Sequence, residues 1–258
     1  MFRTPPPPAA DFTGKRVIVT GGSRGLGAAI VQRLLDGGAT VVATARTATD
    51  ETPAAATFLT GDVGTLAGVQ SFAAAALAEL GGLDVLVNNA GAARAHPGGV
   101  SSIPDEEWLD ALDVNYLSAV RLTNALLPAL REAGAGGVIV NISSAAALVP
   151  SPPVAHYSAA KAALNAYGKA LAAELAPAGI RVATLSPGNV LTPGADALRQ
   201  TIADAVGISL ADIAAGVPLG RAGDPRDVAE AVAYLASDRA QWVTGASLVI
   251  DGGELPVF

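Results

Sequence analysis

Seven short, almost uninterrupted apolar runs alternate with longer alanine-rich stretches along the chain. That alternation restricts the fold more than any other feature. The runs are Arg16–Thr20 (RVIVT), Thr40–Ala45 (TVVATA), Thr57–Thr60, Leu83–Asn88 (LDVLVN), Gly137–Ser143 (GVIVNIS), Ile180–Leu185 (IRVATL) and Ser247–Asp251 (SLVID). A strand with few polar positions is buried on both faces, which requires a parallel sheet with helices above and below it. The stretches between supply those helices, expected at Leu26–Gly37, Thr65–Leu80, most of Ser102–Leu130, about Ala155–Ala176, and Pro225–Ser237. Gly37-Gly38 and Gly81-Gly82 end two of them, since glycine tolerates the left-handed conformation at a helix C-terminus. Crossovers between parallel strands are right-handed, so the pattern predicts an α/β, doubly wound, seven-stranded parallel sheet.

A length of 258 residues allows one or two domains, and the alternation without a linker favours one. It is expected over 11–258, after a disordered proline-rich stub at 1–10 that does not read as a secretory signal. The absence of cysteine excludes disulfides, thiolate metal sites and cysteine nucleophiles. With two histidines, His96 and His156, a multi-histidine metal centre is not expected, and the reading calls for no metal. A net charge of 16 − 23 = −7 argues against nucleic-acid partners and anionic membrane surfaces. No apolar run reaches the roughly 18 residues of a membrane span, so a cytoplasmic protein is expected.

The first strand runs directly into Thr20-Gly21-Gly22-Ser23-Arg24-Gly25-Leu26-Gly27, and a helix follows. Glycines there let the backbone turn tightly against a pyrophosphate, with the helix N-terminus and its free N–H groups facing the anion. A second constellation is Tyr157 and Lys161, four apart on one helix face. With four tyrosines and three lysines in the chain, such a pair arises by chance only about 0.05 times.

The T-G-x-x-x-G-x-G spacing resembles the short-chain dehydrogenase/reductase family in its single-domain branch, particularly 3-oxoacyl-carrier-protein reductases. The resemblance runs from Lys15 to Gly253. It includes Asp62-Val63, Asn88-Asn89-Ala90-Gly91, Asn115, a Ser–Tyr–Lys set, Pro187-Gly188, Tyr234–Asp238 and Thr244-Gly245…Asp251-Gly252-Gly253. It implies that Gly21, Ser23, Arg24, Gly25, Leu26 and Gly27 hold a nicotinamide dinucleotide. Asp62 and Val63 would flank its adenine, and Asn89, Ala90 and Gly91 would pack along it. Pro187, Gly188, Val190 and Thr192 would approach its carboxamide end.

The second strand ends Ala45-Arg46, where an acidic residue would select NAD by accepting from the ribose 2′-hydroxyl. Arg24 and Arg46 together can instead hold the 2′-phosphate of NADP through charge-assisted hydrogen bonds. Asp50 and Glu51 are the competing signal. NADP(H) is favoured, and NAD(H) stays the alternative.

Hydride movement at a carbinol carbon requires proton transfer at its oxygen, which the resemblance assigns to Tyr157. A free phenol titrates near 10, and Lys161 with the oxidised nicotinamide is expected to lower it. The family lysine also holds the nicotinamide ribose. Ser143 and Ser144 both follow the fifth strand; the family spacing, thirteen before the tyrosine, selects Ser144 to donate to the substrate oxygen. Asn115 is implied to hold a water relaying protons from Lys161.

His156 is read as a partly exposed residue at a helix start, and His96, Trp108 and Trp242 as packing or surface residues. Pro193–Gly216 is expected to close over the site as a lid. Ala93, Arg94, Val149, Pro150, Leu191, Leu198 and Ile202 are candidate substrate contacts, with Arg94 and Arg199 taken as solvated charges. The expected activity is NADP(H)-dependent interconversion of a ketone, or 3-oxoacyl group, and a secondary alcohol. The alternatives are an NAD(H)-linked alcohol, sugar or steroid dehydrogenase, or a non-catalytic nucleotide sensor. The resemblance also implies a homodimer or homotetramer, for which the apolar tail Leu255–Phe258 suits burial.

Overall fold

A computed structural model describes residues 11–134, 136–207 and 209–255. The proline-rich stub and tail residues 256–258 lie outside the described residues. The apolar runs become β1 (Arg16–Thr20), β2 (Thr40–Ala45), β3 (Thr57–Thr60), β4 (Val85–Asn88), β5 (Val138–Ile142), β6 (Arg181–Pro187) and β7 (Ala246–Ile250). All pair in parallel in the order β3-β2-β1-β4-β5-β6-β7. The chain starts in the middle of the sheet, winds outward to β3, then returns beside β1 to wind the other way. Loops leaving β1 and β4 therefore diverge, opening a crevice at the strand carboxyl ends.

Register brings those ends level. Val19 sits opposite Val87, Asn88 opposite Asn141, and Ile142 opposite Leu185. The segments after Thr20, Asn88, Ile142 and Pro187 consequently emerge along one edge.

The helices are α1 (Gly25–Asp36), α2 (Leu66–Leu80), α3 (Asp105–Leu112), α4 (Ser118–Glu132), α5 (Ala155–Leu175), α6 (Pro193–Val206), α7 (Leu210–Ala215) and α8 (Pro225–Ala236). Each sheet face has its own core. Val17 and Val19 pack with Ile30, Val31 and Leu34 of α1 and Val228 and Val232 of α8. Ile18 points the other way, into a cluster with Phe72 of α2, Leu122 and Leu126 of α4, and Leu171 and Leu175 of α5. This two-residue alternation, apolar on both sides, is what a covered parallel strand requires.

Several boundaries differ from the sequence expectation. Gly38 (φ +91°), not Gly37 (φ −81°), takes the positive-φ turn after α1. The fourth strand starts at Val85 rather than Leu83, because the Asp84 carboxylate turns to the Arg16 backbone N–H (2.8 Å) and guanidinium (2.9 Å). The mainly helical stretch expected across Ser102–Leu130 is helical from Asp105 on, as two α-helices. A 3₁₀ turn at Val100–Ser102 precedes α3, and a π-helical turn at Asp113–Leu117 joins α3 to α4. Among the described residues, no helix is long and apolar enough to cross a membrane.

Candidate active site

The glycine segment after β1 is shaped by crowding. A Cβ on Gly27 would lie 1.9 Å from the Gly21 carbonyl oxygen, and one on Gly22 2.8 Å from Ala43 Cβ. Gly21 and Gly25 have φ of +67° and +55°, which disfavour any side chain. Asn89 holds this segment from behind: its Nδ2 donates to the carbonyls of Thr20 (2.8 Å) and Gly21 (3.2 Å). The Asn89 and Ala90 N–H groups both donate to Thr20 Oγ1. Thr20 and Asn89 thus brace the loop, a role that a sequence motif does not separate from ligand contact.

Arg24, the N-cap residue of α1, gives that helix no side-chain cap. The Gly25 N–H instead donates to the Glu51 carboxylate at 2.7 Å. An anionic oxygen therefore fits at this N-terminus, where the helix dipole and exposed amides favour negative charge. Thr49 and Thr52 donate to the Ser23 carbonyl, so the β2–β3 loop docks on the glycine segment. Arg24 and Arg46 are exposed, and among the described residues neither forms an ion pair. Asp62 Oδ1 accepts from the Gly64 N–H, making a tight turn, while Val63 is buried in the core.

At the other end of the crevice, α5 presents Tyr157 and Lys161. The Lys161 ammonium is 3% exposed, donates to the Ile142 carbonyl at 2.8 Å and lies 5.9 Å from the Tyr157 ring centre. Burial lowers its pKa to about 8. Burial also raises the Tyr157 phenol above its ordinary value, opposed by a hydrogen bond with Ser144. This rise belongs to the protein alone, whereas the lowering expected above also counts the charge of the oxidised nicotinamide. Desolvation penalises the phenolate and, by the same burial, the ammonium expected to stabilise it.

The two serines separate cleanly. Ser143 Oγ donates to the Lys161 carbonyl, tying β5 to α5, whereas Ser144 Oγ accepts from the Ala146 N–H. Ser144 is the one that acts on the phenol, opposing the rise in its pKa.

Asn115 sits in the π-helical turn and is 1% exposed. Its Oδ1 accepts from the Ala92 N–H (3.1 Å), and its Nδ2 donates to the carbonyls of Ala92 (2.8 Å) and Ala111 (3.1 Å). A Cβ on Gly91 would lie 2.9 Å from Asn115 Oδ1 and 3.3 Å from Lys161 Nζ, so these three residues are neighbours. The Asn115 amide clamps the loop after β4 beside the lysine, with both Nδ2 donors bonded to backbone carbonyls.

Gly188 packs against Asp251, and its N–H donates to the Ile250 carbonyl. Val190 is buried and bridges to Gly223. Thr192 Oγ1 accepts from the Ala195 N–H as the cap of α6, and its Cβ lies 3.3 Å from where a Gly25 Cβ would stand. The segment after β6 is thereby set against the glycine loop.

Two expectations fail on burial. Arg199 is no solvated charge: it binds Asp196, Asn189 Oδ1 and the Val190 carbonyl with little of its side chain exposed. His156 is 2% exposed rather than partly exposed, covered by His96 and by the Trp108 ring edge-on at 6.1 Å. Arg94 pairs with Glu107 and stays largely exposed. Trp242, at 98% exposure, is a surface residue.

Comparison with known proteins finds relatives that match almost the whole chain. Residues 21–254 match the family model described as enoyl-(acyl carrier protein) reductase. The chain is 38% identical over 254 residues to 3beta-hydroxysteroid dehydrogenase 1 of Eggerthella lenta, covering 94% of each. It is 37% identical over 249 residues to the 3-oxoacyl-acyl-carrier-protein reductase of Salmonella typhimurium, covering 94% of this chain and 98% of that one. The structure of L-sorbose reductase from Gluconobacter frateurii, solved with NADPH and L-sorbose, superposes with a TM-score of 0.86 at 30% identity, covering 96% and 99%.

Proposed function

The chain belongs to the short-chain dehydrogenase/reductase family of oxidoreductases; from that premise we propose that it interconverts a ketone, or 3-oxoacyl group, and a secondary alcohol using NADP(H). The observation that carries the reading is the Lys161 ammonium 5.9 Å from the Tyr157 ring centre on one face of α5, with Ser144 opposing the rise in the phenol's pKa.

A nicotinamide cofactor held here would supply the hydride for the carbonyl carbon. The protein's part is proton handling and placement. A phenol raised above its ordinary value stays protonated at neutral pH, which suits donation to the carbonyl oxygen during reduction. Ser144, whose oxygen already accepts from Ala146, keeps its O–H to direct at that same oxygen as charge develops. Lys161 has three donors and spends one on Ile142, leaving others for ribose hydroxyls. In the reverse direction its positive charge favours the phenolate.

The glycine segment with Ser23, Leu26 and the α1 N-terminus would hold the pyrophosphate, Asp62 and Val63 would flank the adenine, and Asn89, Ala90 and Gly91 would pack along the cofactor. Pro187, Gly188, Val190 and Thr192 would border the nicotinamide. Thr192 touches Gly25 and α6–α7 follow it, which supports a lid over 193–216. Leu148, Val149 and Leu191 are exposed near the mouth and would meet an apolar part of the substrate. We assign the protein to the cytoplasm. We also assign it a dimer or tetramer, supported by the exposed Leu248 on edge strand β7 and by Trp242.

Arg24 and Arg46, exposed and without ion-pair partners among the described residues, support NADP(H). Replacing both by alanine is expected to weaken NADPH at least about tenfold, in line with the roughly 1.5–3 kcal/mol of a hydrogen bond to a charged group, with NADH little changed. Fluorescence titration reads both. Tighter NADH than NADPH binding in the unaltered protein overturns the cofactor assignment. Glu51 favours that second reading, an NAD(H)-linked alcohol, sugar or steroid dehydrogenase, because a carboxylate at the glycine loop can accept from ribose hydroxyls.

A further inference from the structure

Outside this set lies a cluster the proposed reaction does not use. His96, on the loop after β4, Glu107, in the first turn of α3, and His156, in the first turn of α5, each place one ligand-capable atom within 4.8 Å of the others. The three come from separate segments. The His96 N–H donates to the Pro153 carbonyl, which fixes its loop against the start of α5. His96 and His156 meet edge to face with ring centres 5.3 Å apart, and Trp108 closes the far side.

Two buried nitrogens here have no hydrogen-bond partner: His96 Nε2 and His156 Nδ1. An unsatisfied buried polar group costs about 1–3 kcal/mol, so each of these nitrogens calls for a partner. His156 is 2% exposed, so its ring is shut away from bulk water. Glu107 accepts from Arg94 through Oε1 alone, so its other oxygen remains for a cation. Two imidazoles and one carboxylate form a donor set suited to zinc, with a fourth position for water, and poorly suited to magnesium or calcium.

We propose that His96, Glu107 and His156 form a binding site for a zinc-class divalent cation. The ion would tie the loop after β4, α3 and the start of α5 into one wall, one residue before Tyr157.

The test uses untagged, chelator-treated full-length protein and Zn²⁺ alone, without nucleotide or substrate. It is therefore independent of the proposed reaction. Calorimetric titration at neutral pH is expected to give one zinc per chain and a raised melting temperature, with no such response to Mg²⁺. His96→Ala and the near-isosteric Glu107→Gln are each expected to lose that equivalent and the zinc-dependent rise, while melting without zinc near the unaltered chain. A chain that takes up no zinc, or a zinc equivalent that survives both substitutions, overturns the site. In the first case the two imidazoles share a proton instead.

Discussion

A buried ammonium and a half-buried phenol share one turn of α5, and their burial has a measurable consequence. Folding lowers the Lys161 pKa from 10.5 to about 8, a cost of roughly 3 kcal/mol while the group is charged in both states. Between pH 8 and 10.5 the unfolded chain keeps a proton that the folded chain has released, so stability rises with pH across that window. Tyr157 acts oppositely but later: its raised pKa makes the folded chain hold the proton longer, and stability falls above pH 10. Denaturant unfolding of the nucleotide-free protein should show the rise from pH 8 to 10, and Lys161→Met should abolish it. The Tyr157–Lys161 pair was legible in the sequence because four-residue spacing fixes a shared helix face. The phenol's direction was not, since it depends on how much water the fold removes.

At the scale of elements, the β2–β3 loop is the least expected arrangement. Its Glu51 carboxylate occupies the α1 N-terminus, where a phosphate would also go. Glu51→Ala should strengthen NADPH binding by roughly fivefold, about 1 kcal/mol, because it removes a competing anion from the helix dipole. If Glu51 instead holds ribose hydroxyls of NADH, the same substitution weakens NADH binding; the two titrations separate these outcomes. Strands were legible to within two residues, because burial on both faces leaves few polar positions to blur their ends. The stretch after Ser102 was not. Its π-helical turn accompanies bonds from Asn115 to Ala92, a partner 23 residues earlier that local pattern cannot announce. His156 was misread for a similar reason: Trp108 and His96, which cover it, arrive from other segments.

Across the whole molecule, one sheet separates two cores and lines up four strand ends, so the loops that carry the candidate site rest on packing on both sheet faces. Leu122 of α4 is fully buried against the sheet. Leu122→Ala should cost about 2–5 kcal/mol, read as a lower denaturant midpoint, while leaving the site residues in place. The doubly wound architecture was legible because each apolar run and each helix pointed to the same answer. What the sequence could not order was the side-chain traffic between loops at the sheet's edge.

In the proposed reaction Tyr157 moves the proton at the substrate oxygen. The measurement that bears on it most directly is NADPH consumption, followed with a panel of ketones and 3-oxoacyl thioesters, for the unaltered chain and for Tyr157→Phe. The unaltered chain should oxidise NADPH with at least one member of the panel. The variant should lose about 10²–10⁴-fold in kcat while still binding NADPH. Undiminished turnover by Tyr157→Phe would contradict the assignment.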